Sequence, residues 1–167
     1  MITIISGSNR EDNNTRRVSA EYLRILKEEY KTDARLYALD EIDVVTRSAA
    51  FMQTEKDILI PSQKFIIVMP EYNGSYPGIL KLMIDNTDVA KVWHHKKVAL
   101  VGVSTGRAGN LRGMEHLTGS LLHMKMLVHP NRLPISVVNK LMDAQDRFTD
   151  ENTLAAIRTQ LNEFLNF

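Results

Sequence analysis

The sequence predicts an α/β fold, a doubly wound five-stranded parallel sheet with helices on both faces. Two runs, Phe65 to Met69 and Val98 to Val103, lack polar side chains throughout, and such runs are typical of strands that are covered on both faces. Segments with a helical period separate the predicted strands, and parallel neighbours require crossover connections of this kind. Together these observations favour strands and helices that alternate along the chain.

The amino-terminal half predicts three strands. The first is the β-branched run at residues 2–5, the second covers residues 33–39, and the third is the apolar run at residues 65–69. A helix follows the first strand after a polar loop, because apolar side chains recur there at helical spacing. These side chains are Val18, Tyr22, Ile25, Leu26 and Tyr30. The stretch up to residue 54 has little pattern, and a short helix ending near Pro61 precedes the third strand.

The carboxyl-terminal half continues the alternation. A helix is predicted over residues 77–89, with proline accommodated in its first turn, and the second apolar run follows it as a strand. The next helix is marked by Leu111, Met114, Leu117 and Leu121. An interrupted strand then covers residues 126–128 and 133–138. A last helix follows, which Thr149 or Asp150 can cap.

Composition limits the class of protein. The chain has 167 residues, of which 44% are hydrophobic and 25% charged, so we expect one globular domain over residues 1–167. The net charge of +1 gives no reason to expect a nucleic acid or an anionic membrane as a partner. No cysteine is present, which excludes disulfides and a catalytic thiol and suits a reducing, cytoplasmic location. We expect neither a signal peptide nor a membrane span, because MITII already has the pattern of a strand and no apolar run approaches about 20 residues.

Three loops stand out because they combine polar side chains with glycine or asparagine. They follow the first, third and fourth strands and read SGSNREDNNT at residues 6–15, PEYNGSYPG at residues 70–78 and STGRAGN at residues 104–110. The carboxyl ends of parallel strands lie at one edge of a sheet, where α/β proteins bind their ligands. We therefore expect the three loops to form one site.

The first loop has the chemistry of a phosphate-binding site. It supplies hydroxyl, amide and guanidinium groups next to the start of a helix. These groups belong to Ser6, Ser8, Asn9, Arg10, Asn13, Asn14 and Thr15. The unpaired N–H groups and the dipole at a helix start favour an anion, and arginine adds a charge-assisted hydrogen bond. The alternative is that Asn13, Asn14 or Thr15 only caps the helix.

Two sequence motifs are absent, and their absence narrows the choice of nucleotide. No GxGxxG follows the first strand and no GxxxxGK[ST] is present, so neither a Rossmann dinucleotide site nor a nucleoside-triphosphate loop is expected. FMN has one terminal phosphate, and flavodoxin-like sheets bind it at the switch point beside the first strand. The first loop therefore favours FMN.

The second and third loops are suited to the flavin ring. Asn73 and Gly74 permit a tight turn whose amides can approach a flat ring, and Tyr72 and Tyr76 offer aromatic faces. The third loop can present N–H groups to the pyrimidine side of the ring, where negative charge develops on reduction. Ordinary polar turns are the alternative for both loops.

These segments resemble the NADPH-dependent FMN reductase family of flavodoxin-like proteins. The resemblance rests on GSNR with Asn13 to Thr15, on VMPEYNGSYPGILKLMIDN and on VALVGVSTGRAGNLRG, in matching order. It implies that the FMN phosphate is held by Ser8, Arg10, Asn13, Asn14 and Thr15. It implies that the isoalloxazine ring meets Pro70, Glu71, Tyr72, Asn73 and Gly74. It implies that the other edge of the ring meets Ser104, Thr105, Gly106 and Arg107.

The resemblance also implies an activity and an assembly. Bound FMN would take a hydride from NADPH or NADH and pass electrons to a flavin, a quinone, an azo compound or a similar acceptor. The redox chemistry would belong to the flavin, so we nominate no catalytic acid or base, and Arg107 is a candidate contact for a phosphate of the nicotinamide nucleotide. The predicted helix at residues 77–89 is apolar on more than one face, and the family pairs such helices in a homodimer or a larger homotetramer.

Two other functions stay open at this stage. A flavodoxin-like electron carrier would bind FMN without oxidising NAD(P)H, although such carriers are usually acidic and this chain is not. A flavin-free interaction module would keep only the fold. The five histidines lack an HExxH arrangement, so we expect no metal site.

Overall fold

The computed structural model describes residues 1–11 and 13–167, so Asp12 of the first loop lies outside the described residues. The strands are β1 (Ile2–Ser6), β2 (Ala34–Ala38), β3 (Lys64–Pro70), β4 (Lys97–Val103), β5 (Leu127–Val128) and β6 (Leu133–Ile135). They pair in parallel in the order β2-β1-β3-β4-β5, and β6 also pairs with β4. Because β5 and β6 share the fifth position, the predicted five-stranded sheet with an interrupted last strand is confirmed. The order is that of flavodoxin-like folds.

Helices cover both faces of the sheet, as predicted. One face carries α1 (Asn14–Glu28) and α6 (Glu151–Asn166). The other carries α2 (Ala49–Thr54), which continues as a π-helical turn at Glu55–Leu59, followed by α3 (Gly78–Asn86), α4 (Val89–Val92) and α5 (Leu111–His123). Side chains of β3 alternate between the two cores, with Ile66 and Val68 on the α1 side and Phe65, Ile67 and Met69 on the other. This double coverage explains why β3 is apolar at every internal position.

The helix predicted over residues 77–89 is present as α3, but it ends at Asn86, and a second short helix, α4, begins at Val89. Thr87 between them has extended backbone angles. The Asp88 side chain accepts a hydrogen bond from the Lys91 N–H and so caps α4. The buried Glu55 carboxylate accepts from the Asp88 N–H. Two side-chain acceptors therefore stabilise the break in what the apolar pattern alone predicts as one helix.

A buried glutamine fills the gap between β5 and β6. Gln160 Nε2 donates to the carbonyl oxygens of Leu100 (3.1 Å) and Asn131 (2.9 Å), and its Oε1 accepts from the Tyr22 hydroxyl (2.8 Å). Leu100 lies between the β4 residues that pair with β5 and those that pair with β6, so this bond replaces a missing ladder bond. The Gln160 side chain therefore links α6 to both α1 and β4. Asp150 caps the start of α6.

A buried carboxylate joins α1 to the segment between β6 and α6. Glu21 is 2% exposed and accepts hydrogen bonds from Arg24 (2.8 and 2.9 Å) and Arg147 (3.1 Å). Burial raises the pKa of a carboxyl group, but the two guanidinium groups outweigh burial, and the pKa of Glu21 lies below its ordinary value. The network therefore stabilises the fold more strongly while Glu21 is ionised.

The three polar loops lie together at the carboxyl edge of the sheet. The first is joined to β3 by a bond from the Gly7 N–H to the Val68 carbonyl oxygen (2.8 Å), and the third is joined to β6 by a bond from the Ser104 N–H to the Ile135 carbonyl oxygen (3.0 Å). Because β1, β3 and β4 are neighbours, the loops meet where the winding of the sheet reverses. Within the described residues, none of the helices combines the length and apolar character needed to cross a membrane.

Candidate functional site

The three loops enclose one cavity of about 670 Å³, a volume typical of small-molecule sites. Of the fourteen residues that the family resemblance assigns to the site, all but Ser8 and Gly74 line this cavity. Among the described residues, four others line the cavity that were not assigned to it from the sequence, and they are Glu11, Val103, Ala108 and Val138. The structure therefore brings the three loops together around one cavity.

The start of α1 forms one end of the cavity. Asn13 Oδ1 accepts from the Arg16 N–H (2.7 Å), and Asn13 Nδ2 donates to the Arg10 carbonyl oxygen. Asn13 is thus the helix cap that the alternative interpretation required, and its amide also closes the loop on itself. Both ends of this side chain are engaged within the loop, so Asn13 stabilises the conformation of the loop.

Two residues after the cap retain donors that can reach a ligand. Asn14 Oδ1 accepts from Arg17 Nη1 (3.1 Å), which leaves the Asn14 Nδ2 hydrogens as its available donors. Thr15 is 2% exposed and lines the cavity. The backbone N–H groups of a first helical turn have no intrahelical acceptor, so this end of the cavity combines amide, hydroxyl and backbone donors.

Side chains of the first and second loops contact each other directly. The buried Ser8 hydroxyl forms a hydrogen bond of 2.8 Å with the Tyr72 hydroxyl. The Arg10 guanidinium lies 4.0 Å from the centre of the Tyr72 ring. One face of Tyr72 is therefore covered by a cation, a contact that residue spacing alone could not predict.

The second loop is a tight turn over residues 72–75. The Tyr72 N–H donates to the Ser75 carbonyl oxygen (2.9 Å), and the Ser75 N–H donates to the Tyr72 carbonyl oxygen (3.1 Å). Asn73 and Gly74 both have positive φ, 52° and 79°, which are the angles of a type I′ turn and the reason that asparagine and glycine occur here. Tyr76 was predicted to face the ligand, but it does not line the cavity. Its hydroxyl contacts Ser120 on α5 (3.3 Å), and its ring packs against the core.

The third loop is braced from within. The Ser104 hydroxyl donates to the Gly106 carbonyl oxygen (2.9 Å) and accepts from the Gly109 N–H (3.0 Å). The segment after β6 folds over this loop, with the Val138 N–H donating to the Ser104 carbonyl oxygen (3.0 Å). This fold-back brings Val138 into the cavity from a distant part of the sequence, which is why the loop patterns could not identify it. Arg107 is exposed at the rim.

The donor set fits FMN. Phosphate binding needs N–H, hydroxyl and cationic donors at one end, and that end has the first turn of α1, Thr15 and Arg10. A flat ring needs apolar surface and accessible backbone, and the opposite walls have Pro70, Val103 and Gly106. A Cβ added at Gly106 would meet nothing within 4 Å, so the backbone is open to close approach there.

Fold and site together define a flavodoxin-like protein with a cleft suited to one mononucleotide. Comparison with known sequences gives the family: residues 1–139 match the family described as NADPH-dependent FMN reductase. The chain is 25% identical to a 2-hydroxy-1,4-benzoquinone reductase of a Burkholderia species, over 98% of this chain and 93% of that protein. It is 35% identical to an NAD(P)H-dependent FMN reductase of Pseudomonas aeruginosa, over 58% of this chain and 54% of that protein.

A solved structure supports the fold. The flavoenzyme NAD(P)H:(acceptor) oxidoreductase FerB of Paracoccus denitrificans superposes with a TM-score of 0.77 at 23% identity, over 99% of this chain and 94% of that one. The chain belongs to the NADPH-dependent FMN reductase family. The predicted enzyme class, an FMN-dependent oxidoreductase that uses NAD(P)H, is confirmed by this membership, which argues against the electron-carrier and flavin-free alternatives.

Proposed function

We propose that residues 1–167 act as one FMN-binding domain in which the cavity holds the whole cofactor. Its phosphate is placed at the start of α1 and its ring lies between the second and third loops. The observation that carries this proposal is the convergence of all three loops on one cavity, whose α1 end has Arg10, Asn14 and Thr15 together with the first turn of the helix. A mononucleotide matches such a cleft because its charge lies at one end and its flat apolar part at the other.

The phosphate is held by the groups at the start of α1. Asn14 and Thr15 donate from side chain and backbone, Arg10 leaves the Tyr72 ring to add a charge-assisted bond, and Ser8 lies beneath with its hydroxyl toward Tyr72. Asn13 keeps the loop in the binding conformation. Because Asn14, Thr15 and the first-turn N–H groups are in place before the ligand arrives, Arg10 is the donor that has to move when FMN binds.

The ring is positioned by backbone more than by side chains. Residues 70–73 form one wall and residues 104–107 the other, and both segments bring backbone to the cavity. When bound, FMN supplies hydride acceptance and electron transfer. The chain orients the ring, limits water around it and places N–H groups where negative charge develops. No side chain acts as an acid or a base in this proposal.

We propose NADPH as the electron donor and a quinone or azo compound as the acceptor. A relative with 25% identity over nearly the whole chain is named as a benzoquinone reductase, and another is named as an NADPH azoreductase. Arg107 is exposed at the cavity rim and carries a charge that can contact the additional phosphate of NADPH. The lack of cysteine supports a cytoplasmic location.

The proposed assembly is a homodimer formed through α3 and α5. A groove of about 550 Å³ between these helices contains the apolar residues Ile84, Val89 and Met124, with the Lys81–Asp85 ion pair (2.7 Å) beside them. Val89 is 37% exposed, and a second copy would remove such apolar surface from water. Sedimentation velocity of the purified protein tests this, with a monomer at micromolar concentration as the contrary result.

A spectroscopic titration tests the proposed function. Purified protein is stripped of flavin, titrated with FMN and then reduced anaerobically with NADPH while the flavin absorption is followed. Saturable binding of one FMN per chain and bleaching by NADPH are expected. Protein that binds no FMN would refute the proposed site, and bound FMN that NADPH leaves oxidised would refute the proposed reaction. Riboflavin, which lacks the phosphate, should bind more weakly because the α1 donors then have no anion.

A further inference from the structure

The turn at residues 72–75, called here the ring turn, is shaped by its own backbone but is held in place by side chains. A Cβ added at Gly74 would meet nothing within 4 Å, and Asn73 is exposed, so the tip has no packing to orient it. On one side, the Tyr72 hydroxyl forms a hydrogen bond of 2.8 Å with the Ser8 hydroxyl. On the other side, Ser75 Oγ lies 3.0 Å from His116 Nδ1 on α5. The orientation of the ring turn therefore depends on these two side-chain bonds.

The helix that carries His116 is itself rigidly placed. Asn110 is fully buried, its Oδ1 accepts from the Gly113 N–H (3.0 Å), and its Nδ2 donates to the Met69 carbonyl oxygen (3.0 Å). A Cβ added at Gly113 would lie 2.1 Å from Asn110 Oδ1, so α5 starts in close contact with its cap. These contacts join α5 to the end of β3 and to the third loop. His116 thus offers the ring turn a fixed point.

A second contact on the same face of α5 also joins this helix to the second loop. Ser120 is four residues after His116 and lies 3.3 Å from the Tyr76 hydroxyl, so both side chains face the second loop. This contact is longer than the one at His116 and lies beyond the ring turn. The His116 imidazole is therefore the nearer support of the residues proposed to meet the flavin.

We propose that His116 is a positioning residue for the flavin: its Nδ1 holds Ser75 and thereby sets the ring turn against the isoalloxazine ring. The inference rests on the proposed function and extends it to a residue outside the cavity lining. A serine hydroxyl can donate to an unprotonated imidazole nitrogen or accept from a protonated one, so the bond persists in either tautomer. His116 acts through Ser75 and touches neither the cofactor nor a substrate.

The test is a double-mutant cycle on FMN affinity, measured by quenching of flavin fluorescence. His116→Ala and Ser75→Ala should each raise the Kd for FMN about 3- to 10-fold, the effect of one net hydrogen bond. The double variant should be no weaker than either single variant, because both remove the same bond. His116→Asn should stay within about twofold of the unmodified protein, since its amide lies near the position of Nδ1. Additive losses, or unchanged Kd in both single variants, would overturn the proposal.

The matched control is His95→Asn, which removes an exposed imidazole at the opposite edge of the sheet. His95 has a φ of 61°, and asparagine accommodates that backbone conformation. The Kd for FMN should not change in this variant. A loss equal to that of His116→Ala would mean that the assay reports general damage, and the proposal would fail.

A second readout needs no flavin. Hydrogen exchange of the Tyr72 and Ser75 amides in flavin-free protein should accelerate in His116→Ala and remain unchanged in His95→Asn. Acceleration throughout β3 and α5 as well would show a purely structural role and overturn the proposal. If the unmodified protein binds no FMN, the proposed function fails together with this inference. If it binds FMN and the cycle shows no coupling, only the inference fails.

Discussion

Removing the Arg10 guanidinium should weaken FMN binding while leaving the fold intact. Arg10 is exposed, and in the part of the chain that the structure describes it forms no salt bridge. Its side chain instead lies over the Tyr72 ring at 4.0 Å, a contact worth about 0.5 to 1 kcal/mol at an exposed site. Arg10→Ala should therefore change the free energy of unfolding by less than about 1 kcal/mol.

The expected loss of FMN affinity in Arg10→Ala follows from the contacts that the Arg10 side chain makes without FMN and with FMN bound. A hydrogen bond to a charged group contributes about 1.5 to 3 kcal/mol, and the cation–π contact given up on binding offsets about 0.5 to 1 kcal/mol of it. The net loss in Arg10→Ala is then about 0.5 to 2.5 kcal/mol, or about a 2- to 60-fold higher Kd for FMN. The effect should shrink as salt is added.

Fluorescence titration with FMN and with riboflavin distinguishes a phosphate contact from a ring contact. Arg10→Ala should weaken FMN binding and leave riboflavin binding unchanged, because riboflavin has no phosphate. Arg35→Ala is the matched control, since Arg35 is on β2, is not part of the cavity lining, and its Nη1 donates to the Asp57 carbonyl oxygen. Equal weakening of both flavins in Arg10→Ala, or no change for FMN, would refute the assignment of Arg10 to the phosphate.

Three other predictions concern the stability of the fold that surrounds the site and an arginine at the rim of the cavity. Because the pKa of Glu21 is lowered by Arg24 and Arg147, its contribution to stability is present above about pH 4.5 and is lost as the pH falls through the folded-state value. Glu21→Ala should lower the free energy of unfolding by about 1.5 to 3 kcal/mol at pH 7, because two guanidinium groups lose a carboxylate acceptor, and in urea denaturation the difference from the unmodified protein should become smaller at low pH. Gln160→Leu should cost about 3 kcal/mol or more, because the buried Tyr22 hydroxyl, the buried Leu100 carbonyl and the part-buried Asn131 carbonyl lose their partner. The same urea measurement checks it, and a loss below about 1 kcal/mol would contradict the role of this side chain. Arg107→Ala should raise the KM for NADPH about 3- to 10-fold and leave the KM for NADH unchanged. Steady-state kinetics with both nucleotides test this, and an equal rise of the two KM values would contradict it.

The sheet and the convergence of the loops were predictable because both follow from local pattern. The apolar runs of β3 and β4 can be buried on both sides only in a covered parallel sheet, and parallel strands present their carboxyl ends at one edge. Asn13 was also a foreseeable helix cap, since asparagine before an apolar period is a strong signal. Each of these inferences uses neighbours in sequence or a property shared by a whole strand.

What the sequence did not predict depends on contacts between distant residues. The break at Thr87 rests partly on the carboxylate of Glu55, more than thirty residues earlier in the chain. Tyr76 was expected to face the ligand because it is aromatic and close to the turn, but Ser120 on α5 holds it elsewhere. Val138 enters the cavity only because the chain folds back after β6. The hydrophobic periodicity of a single segment carries no information about such contacts.

The divided fifth strand has a consequence for how the protein behaves at high concentration. A long, flat outer strand offers a row of free amide and carbonyl groups onto which another polypeptide can add. Here that border consists of a two-residue piece and a three-residue piece, and the Gln160 side chain takes up a carbonyl between them. An incoming strand would find no continuous register on this side of the sheet, so fibrillar addition at this border is disfavoured.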